Sequence, residues 1–226
     1  MISGANRGLG NAVAKRLLAD GYNLSAGGRD VDAVRLSLPD SDRVMAHSYD
    51  ANAPGSDQAW FDATIGRFGS VDILINNAGV IDNAPFDDLT EDGLDSMWSV
   101  NVKAPFRLTQ IAMPTLRAAE NGRVVNVASL SGLRVAGTFA PGYAMSKHAV
   151  IALTEATKQA GWADGVRATA ICPGYIATDM AAEVDLDSST MIQPDDLAEM
   201  ISTVVALPNT ASVAQLTVAC LIEPHF

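Results

Sequence analysis

The sequence predicts an α/β fold, a doubly wound parallel sheet with helices on both faces, and three observations carry that prediction. Short apolar runs alternate with amphipathic stretches along the chain, the pattern of strands joined by covering helices. A glycine-spaced turn, Gly4-x-x-x-Gly8-x-Gly10, joins the first apolar run to the first amphipathic one. At 226 residues and 48% hydrophobic, without an internal repeat, a low-complexity tract or a linker, the chain reads as one domain, 1–226, able to bury a sizeable core.

Met1-Ile2-Ser3 reads as the end of a buried strand. It begins almost at Met1, so either this central strand is unusually short or the chain is trimmed. From Gly10 onward Val13, Leu17 and Leu18 recur at helical spacing and Gly21 stops the run, predicting a helix over 10–20. Further strands are expected at 23–26, 44–49, 71–75, 123–127, 167–171 and 215–221. Helices are expected at 56–68, 90–119, 143–161 and 194–206, with Pro105 and Pro114 kinking or dividing the long middle one. The acidic stretch 82–95 reads as a solvated loop entering a helix N-terminus, where carboxylates are favoured.

Charge and composition exclude several functions. A net charge of −11 argues against nucleic acid or an anionic membrane as a partner. Cys172 and Cys220 provide no disulfide framework, which suits a reducing compartment, the cytoplasm. No charged-then-apolar leader precedes the glycine turn, and no apolar run approaches membrane-spanning length. His47, His148 and His225 are scattered and form no ligand cluster with the cysteines, so no metal site is expected.

The glycine turn lacks side-chain bulk, so backbone N–H groups and the positive end of the following helix can meet a pyrophosphate. Alone it could equally be a tight strand-to-helix connection. Tyr143 and Lys147 lie one helical turn apart on one face. A free tyrosine titrates near pH ~10 and moves protons slowly at neutrality; a neighbouring ammonium would favour the phenolate and lower that value. Such a pair is, by itself, more often an ordinary amphipathic surface. Ser129, following a strand, could hydrogen-bond an oxygen on which charge develops, with Ser131 a competitor for that role.

In order along the chain, Gly4-x-x-x-Gly8-x-Gly10, Asn76-Asn77-Ala78-Gly79, Asn101, Asn126-Val-Ala-Ser129, Tyr143-x-x-x-Lys147 and Pro173-Gly174-Tyr175-Ile176-Ala177-Thr178 resemble the short-chain dehydrogenase/reductase family. That resemblance covers nearly the whole chain. It implies a Rossmann-type sheet, a nicotinamide dinucleotide, a small-molecule carbonyl or alcohol substrate, and a homodimer or homotetramer built through helices near 103–119 and 143–161. It also implies a catalytic set: Tyr143 as proton donor, Lys147 adjusting its acidity while holding the nicotinamide ribose, Ser129 orienting the carbonyl, and Asn101 supporting the lysine through water.

The family's cofactor contacts fall on Gly4, Asn6, Arg7, Gly8, Leu9 and Gly10 at the turn. They continue on Asp50 and Ala51 at the adenine, Asn77, Ala78 and Gly79 along the adenosine, and Pro173, Gly174, Ile176 and Thr178 around the nicotinamide, where the Thr178 hydroxyl would meet the carboxamide. Asn76 and Asn77 could equally tie strand ends together. Gly28 stands where NAD users carry an acid, and Arg29 and Arg7 suit a ribose phosphate instead. NADP(H) is therefore preferred over NAD(H), although a small loop shift would bring the Asp30 carboxylate close.

Two departures from the family stand out. The Ser129–Tyr143 interval is slightly long, and the 178–194 region is brief, which leaves the site open, with 184–190 a mobile loop unsuited to a long greasy substrate. Tyr175, Met180 and Met191 are candidates for the substrate entrance and could equally be core; Trp60, Trp98 and Trp162 read as packing or interface residues. The alternatives to a general carbonyl reductase are a 3-oxoacyl thioester reductase and a non-catalytic NADP-sensing regulator.

Overall fold

The structure is a computed structural model that describes residues 1–222, so His225 lies outside the described residues. Its strands are β1 (Ile2–Ser3), β2 (Leu24–Gly28), β3 (Val44–Ser48), β4 (Ile73–Asn76), β5 (Arg123–Val127), β6 (Arg167–Pro173) and β7 (Gln215–Val218). Its helices are α1 (Gly8–Ala19), α2 (Val31–Leu36), α3 (Ser56–Phe68), α4 (Glu91–Met97), α5 (Ala104–Ala118), α6 (Pro141–Gly161) and α7 (Pro194–Ala206). The strands form a single sheet in the order β3-β2-β1-β4-β5-β6-β7, every neighbouring pair parallel. This is the doubly wound Rossmann-type arrangement, and its order reverses between β1 and β4. A ligand crevice opens beyond the strand ends at such a reversal.

The two faces bury separate cores. On one, Val13 and Leu17 of α1 meet Leu197 and Ile201 of α7 above Ile2, Ile75 and Val125. On the other, Trp60 of α3 and Leu108 and Leu116 of α5 cover Leu74 and Val124. Each such side chain contributes about 1.5–3 kcal/mol when fully withdrawn from water. Trp60 can lie flat on the sheet because Gly27 has no Cβ, which would come within 2.7 Å of the indole; its Nε1–H donates to Ser25 Oγ at 2.9 Å. Trp60 is thus a packing residue, whereas Trp98 and Trp162 are partly exposed.

Several boundaries differ from those the sequence predicts. α1 starts earlier, at Gly8, because the glycine turn itself forms the first helical turn. α2 has no predicted counterpart; it buries only Val34, too little for periodicity to register, and is started by Asp30, whose carboxylate accepts the Ala33 N–H at 3.0 Å. β2 and β6 run further than expected, to Gly28 and Pro173, because β3 and β7 supply pairing partners there. β4 is shifted to Ile73–Asn76 and β7 ends at Val218.

The middle helix is divided, but not by its prolines. A π-helical turn, Trp98–Lys103, separates α4 from α5. Pro105 sits in the first turn of α5, where its missing N–H is not needed, and α5 continues through Pro114. α4 begins as its composition predicts, with Thr90 accepting the Gly93 N–H and Glu91 and Asp92 in the first turn.

Candidate active site

A cleft of about 1080 Å³ follows the C-terminal ends of the strands, from the glycine turn after β1 to the loops after β5 and β6. The turn is held tightly. A Cβ on Gly10 would lie 2.1 Å from the Gly4 carbonyl oxygen, and Gly8 adopts φ +54°, a left-handed conformation that favours glycine. Asn77 Nδ2 fastens the turn by donating to the Ser3 and Gly4 carbonyls at 2.9 and 3.2 Å. The Arg7 side chain makes no capping bond at the start of α1, so the first N–H groups of this helix face the cleft with the positive end of the helix dipole. An uncapped helix start, a turn that excludes side chains and a cleft of this volume fit a dinucleotide.

Every residue expected at a cofactor lines this cleft. At the adenosine end stand Gly28, Arg29, Asp50 and Ala51. One Asp50 oxygen accepts the Asn52 N–H at 2.9 Å, and Asp30 is turned away into its capping bond with Ala33. Arg7, expected to turn toward a ribose phosphate, is instead paired with Asp179, Nη1 to Oδ2 at 2.8 Å. The Thr178 hydroxyl leans toward the Ile176 carbonyl at 3.5 Å, and its methyl faces Gly8. Tyr175 and Met180 line the cleft, while Met191 is buried and does not reach it.

The opposite wall carries the predicted catalytic residues. Proline in the first turn starts α6 after Ala140, which is held at φ 49°, and this helix presents Tyr143 and Lys147. Lys147 is 4% exposed, and its Nζ donates to the Val127 carbonyl at 2.7 Å. The ammonium lies 5.4 Å from the centroid of the Tyr143 ring. Ser129, two residues past the end of β5, hydrogen-bonds the phenol, and its hydroxyl also receives the Ser131 N–H at 3.1 Å. Ser131 thus supports Ser129.

Asn101 sits one layer behind. It occupies the π-helical turn, 2% exposed, and its amide receives the Val80 N–H and donates to the Val80 carbonyl, both at 2.9 Å. It also donates to Ser146 Oγ at 3.0 Å. Its Oδ1 and Lys147 Nζ lie 3.4 and 3.6 Å from the point where a Gly79 Cβ would sit. Asn76 is structural, donating to Asn126 Oδ1 at 2.8 Å and Thr109 Oγ1 at 3.1 Å. Ser146, the Val127 carbonyl and Asp179 are site groups that the sequence reading did not single out. Ser146 lies within the Tyr143–Lys147 motif; nothing in a sequence marks a particular backbone carbonyl.

Burial dominates the electrostatics here. It pushes the Tyr143 phenol up to about 12, against the hydrogen bond from Ser129, which lowers it. It pulls the Lys147 ammonium down to about 8. The expected depression of the phenol by the lysine is not seen among the protein's own groups: only burial and the Ser129 hydrogen bond shift the phenol, and the ammonium donates to the Val127 carbonyl while lying over the ring. Burial likewise raises the Cys172 thiol to about 11, opposed by a hydrogen bond from the Ser129 backbone and by the Lys147 charge. Among the described residues no group of three or more His, Cys, Asp or Glu is placed to hold a metal, and no helix is long and apolar enough to cross a membrane.

The chain is 41% identical over 226 residues to agropine synthesis reductase of Rhizobium rhizogenes, across 99% of its own length and 52% of that relative's, so it spans about half of the protein it matches. Its fold superposes on an alcohol dehydrogenase from the archaeon Thermococcus sibiricus complexed with 5-hydroxy-NADP, with a TM-score of 0.89, 25% identity and coverage of 100% and 97%. A 3-ketoacyl-(acyl-carrier-protein) reductase from Brucella melitensis complexed with NADH shares the fold, with a TM-score of 0.90, 23% identity and coverage of 97% and 95%. The family model for short chain dehydrogenase matches residues 1–189. With the ordered motifs and the geometry of the cleft, these likenesses establish that the chain belongs to the short chain dehydrogenase family of oxidoreductases.

Proposed function

We propose that this chain is an NADP(H)-dependent oxidoreductase that interconverts a small-molecule carbonyl and its secondary alcohol. The observation that carries the reading is the placement of Tyr143, Ser129 and Lys147 on one wall of a cleft that leads to an uncapped, glycine-lined helix start. A nicotinamide cofactor would supply or accept the hydride. Gly4, Asn6, Gly8, Leu9 and Gly10 would hold its pyrophosphate, Asp50 and Ala51 its adenine, and Pro173, Gly174, Ile176 and Thr178 its nicotinamide end.

In reduction, the Tyr143 hydroxyl donates its proton to the substrate oxygen as negative charge develops there. The Ser129 hydroxyl donates a hydrogen bond to the same oxygen, and such a donor is worth about 10²–10³ in rate. Lys147 stands behind the phenol, its charge favouring the phenolate left by proton loss. Asn101 fixes the Val80 segment and, through Ser146, the start of α6 that carries Tyr143 and Lys147; a water between Asn101 and Lys147 would carry a solvent proton back to the phenolate. Lys147 and Asn101 are buried behind the half-buried Tyr143 and Ser129, which face the cleft where a substrate would enter.

NADP(H) is favoured over NAD(H) because Gly28 puts no carboxylate at this end of the cleft, Arg29 lines it beside Gly28 with Arg7 available once released from Asp179, and Asp30 is engaged by α2. A homodimer or homotetramer through α5 and α6 accompanies this reading, as the exposed Phe106 and Met145 give those helices apolar surface; light scattering tests it. The same reading sets the enzyme in the cytoplasm. The function is tested by following NADPH and NADH absorbance with a panel of ketones, aldehydes, sugars and acyl thioesters. Turnover with at least one carbonyl is expected, faster with NADPH. Cofactor binding with no turnover across the panel would favour a sensor.

A further inference from the structure

We infer that Asp179 tunes cofactor choice: it competes with the cofactor's ribose phosphate for Arg7 and so lowers affinity for NADP(H) more than for NAD(H). The inference rests on the NADP(H) reading above.

Arg7 and Asp179 lie 172 residues apart in the chain and on two different loops of the same cleft. Arg7 belongs to the glycine turn and Asp179 to the loop after β6. Their side chains meet at 2.8 Å while remaining 69% and 75% exposed. The neighbouring residues also touch: a Cβ on Gly8 would be 3.2 Å from Thr178 Cγ2. The two loops therefore approach one another whether or not the ion pair forms, and the pair is a local contact laid over that approach.

Arginine grips a phosphate best with its planar fork, two N–H groups to two oxygens. With Nη1 committed to Asp179, Arg7 keeps only its Nε–Nη2 edge for a ribose phosphate, and presenting the Nη1–Nη2 fork requires giving up the carboxylate. Asp179 then stays near a dianionic group with its own charge no longer matched. Both effects act against a 2′-phosphorylated cofactor. NADH carries the pyrophosphate but not the ribose phosphate, so it is penalised less. Exposed ion pairs are weak, and the expected effect is correspondingly modest, about two- to fivefold in affinity.

The experiment measures Kd for NADPH and NADH by calorimetry with the wild type, Asp179→Asn, Arg7→Gln and the double variant, at low and at high salt. The inference expects Asp179→Asn to bind NADPH about two- to fivefold more tightly, with a smaller gain for NADH. That gain should shrink at high salt and vanish in the Arg7→Gln background. No change in Asp179→Asn, an equal change for both cofactors, or a gain that survives loss of Arg7 would overturn it, provided Arg7→Gln itself weakens NADPH selectively. If Arg7→Gln leaves the NADPH-to-NADH ratio untouched, the premise that Arg7 meets the ribose phosphate is wrong, and the inference falls with it.

Discussion

The Lys147 ammonium lies 5.4 Å from the centre of the Tyr143 ring and donates to the Val127 carbonyl at 2.7 Å, so the buried lysine stands against the half-buried phenol while its hydrogen bond goes to the backbone. Each is shifted by burial toward its neutral form, the lysine down to about 8 and the phenol up to about 12.

This has a consequence for stability. The unfolded chain keeps the Lys147 proton to its ordinary value of 10.5, and the folded chain only to about 8. Between those values the unfolded state binds more protons, so raising the pH should stabilise the fold. Chemical denaturation at intervals from pH 8 to 9 should show this rise, before the Cys172 thiol, held protonated to about 11 against an ordinary 9.0, offsets it with the opposite sign, and Lys147→Met should flatten it. An unchanged slope in the variant would assign the effect to other groups.

Ser129→Ala removes the hydrogen bond that lowers the Tyr143 phenol and the donor aimed at the substrate oxygen. Turnover should drop about 10²–10³-fold. The alkaline limb of kcat/KM in the reductive direction should also move to higher pH. Ser131→Ala, which keeps the Ser131 N–H bond to Ser129, should stay close to wild type in both measurements.

Asn101→Ala orphans the Val80 N–H and carbonyl in a part-buried place. Each unsatisfied group costs about 1–3 kcal/mol, and for a domain of this size each kcal/mol lowers Tm by about 2–4 °C. Calorimetry should therefore show a loss of several degrees. Activity should fall as well, because the start of α6 loses its tie through Ser146.

Gly10→Ala would press a methyl group into the Gly4 carbonyl, 2.1 Å away, and into the Asn77 amide. The turn must open to admit it. Fluorescence titration should show cofactor binding weakened by an order of magnitude or more, about the cost of an overpacked, well-fixed site.

Much of this was legible in the sequence because each readable feature had a local cause. The glycines of the turn, the Tyr143–Lys147 spacing and Ser129 at a strand end are short-range patterns, and the fold brings them into one cleft. α2 was not legible, since a six-residue helix burying one side chain leaves no period to detect. Nor was the π-helical turn: Pro105 and Pro114 suggested the break, but the division falls at Trp98–Lys103, where Asn101 is drawn to Val80 and Ser146 from across the molecule. The Arg7–Asp179 pair and the Lys147–Val127 bond are long-range contacts in the same sense. Sequence spacing holds no trace of them.

The most direct test of the chemistry is a comparison of wild type with Tyr143→Phe, following NADPH oxidation with an accepted carbonyl and NADPH affinity in the same preparations. Loss of the proton donor should cut turnover about 10²–10⁴-fold while leaving cofactor Kd and the melting curve essentially in place. Wild-type turnover in Tyr143→Phe would contradict the assignment of Tyr143 as the proton donor and, with it, the proposed mechanism.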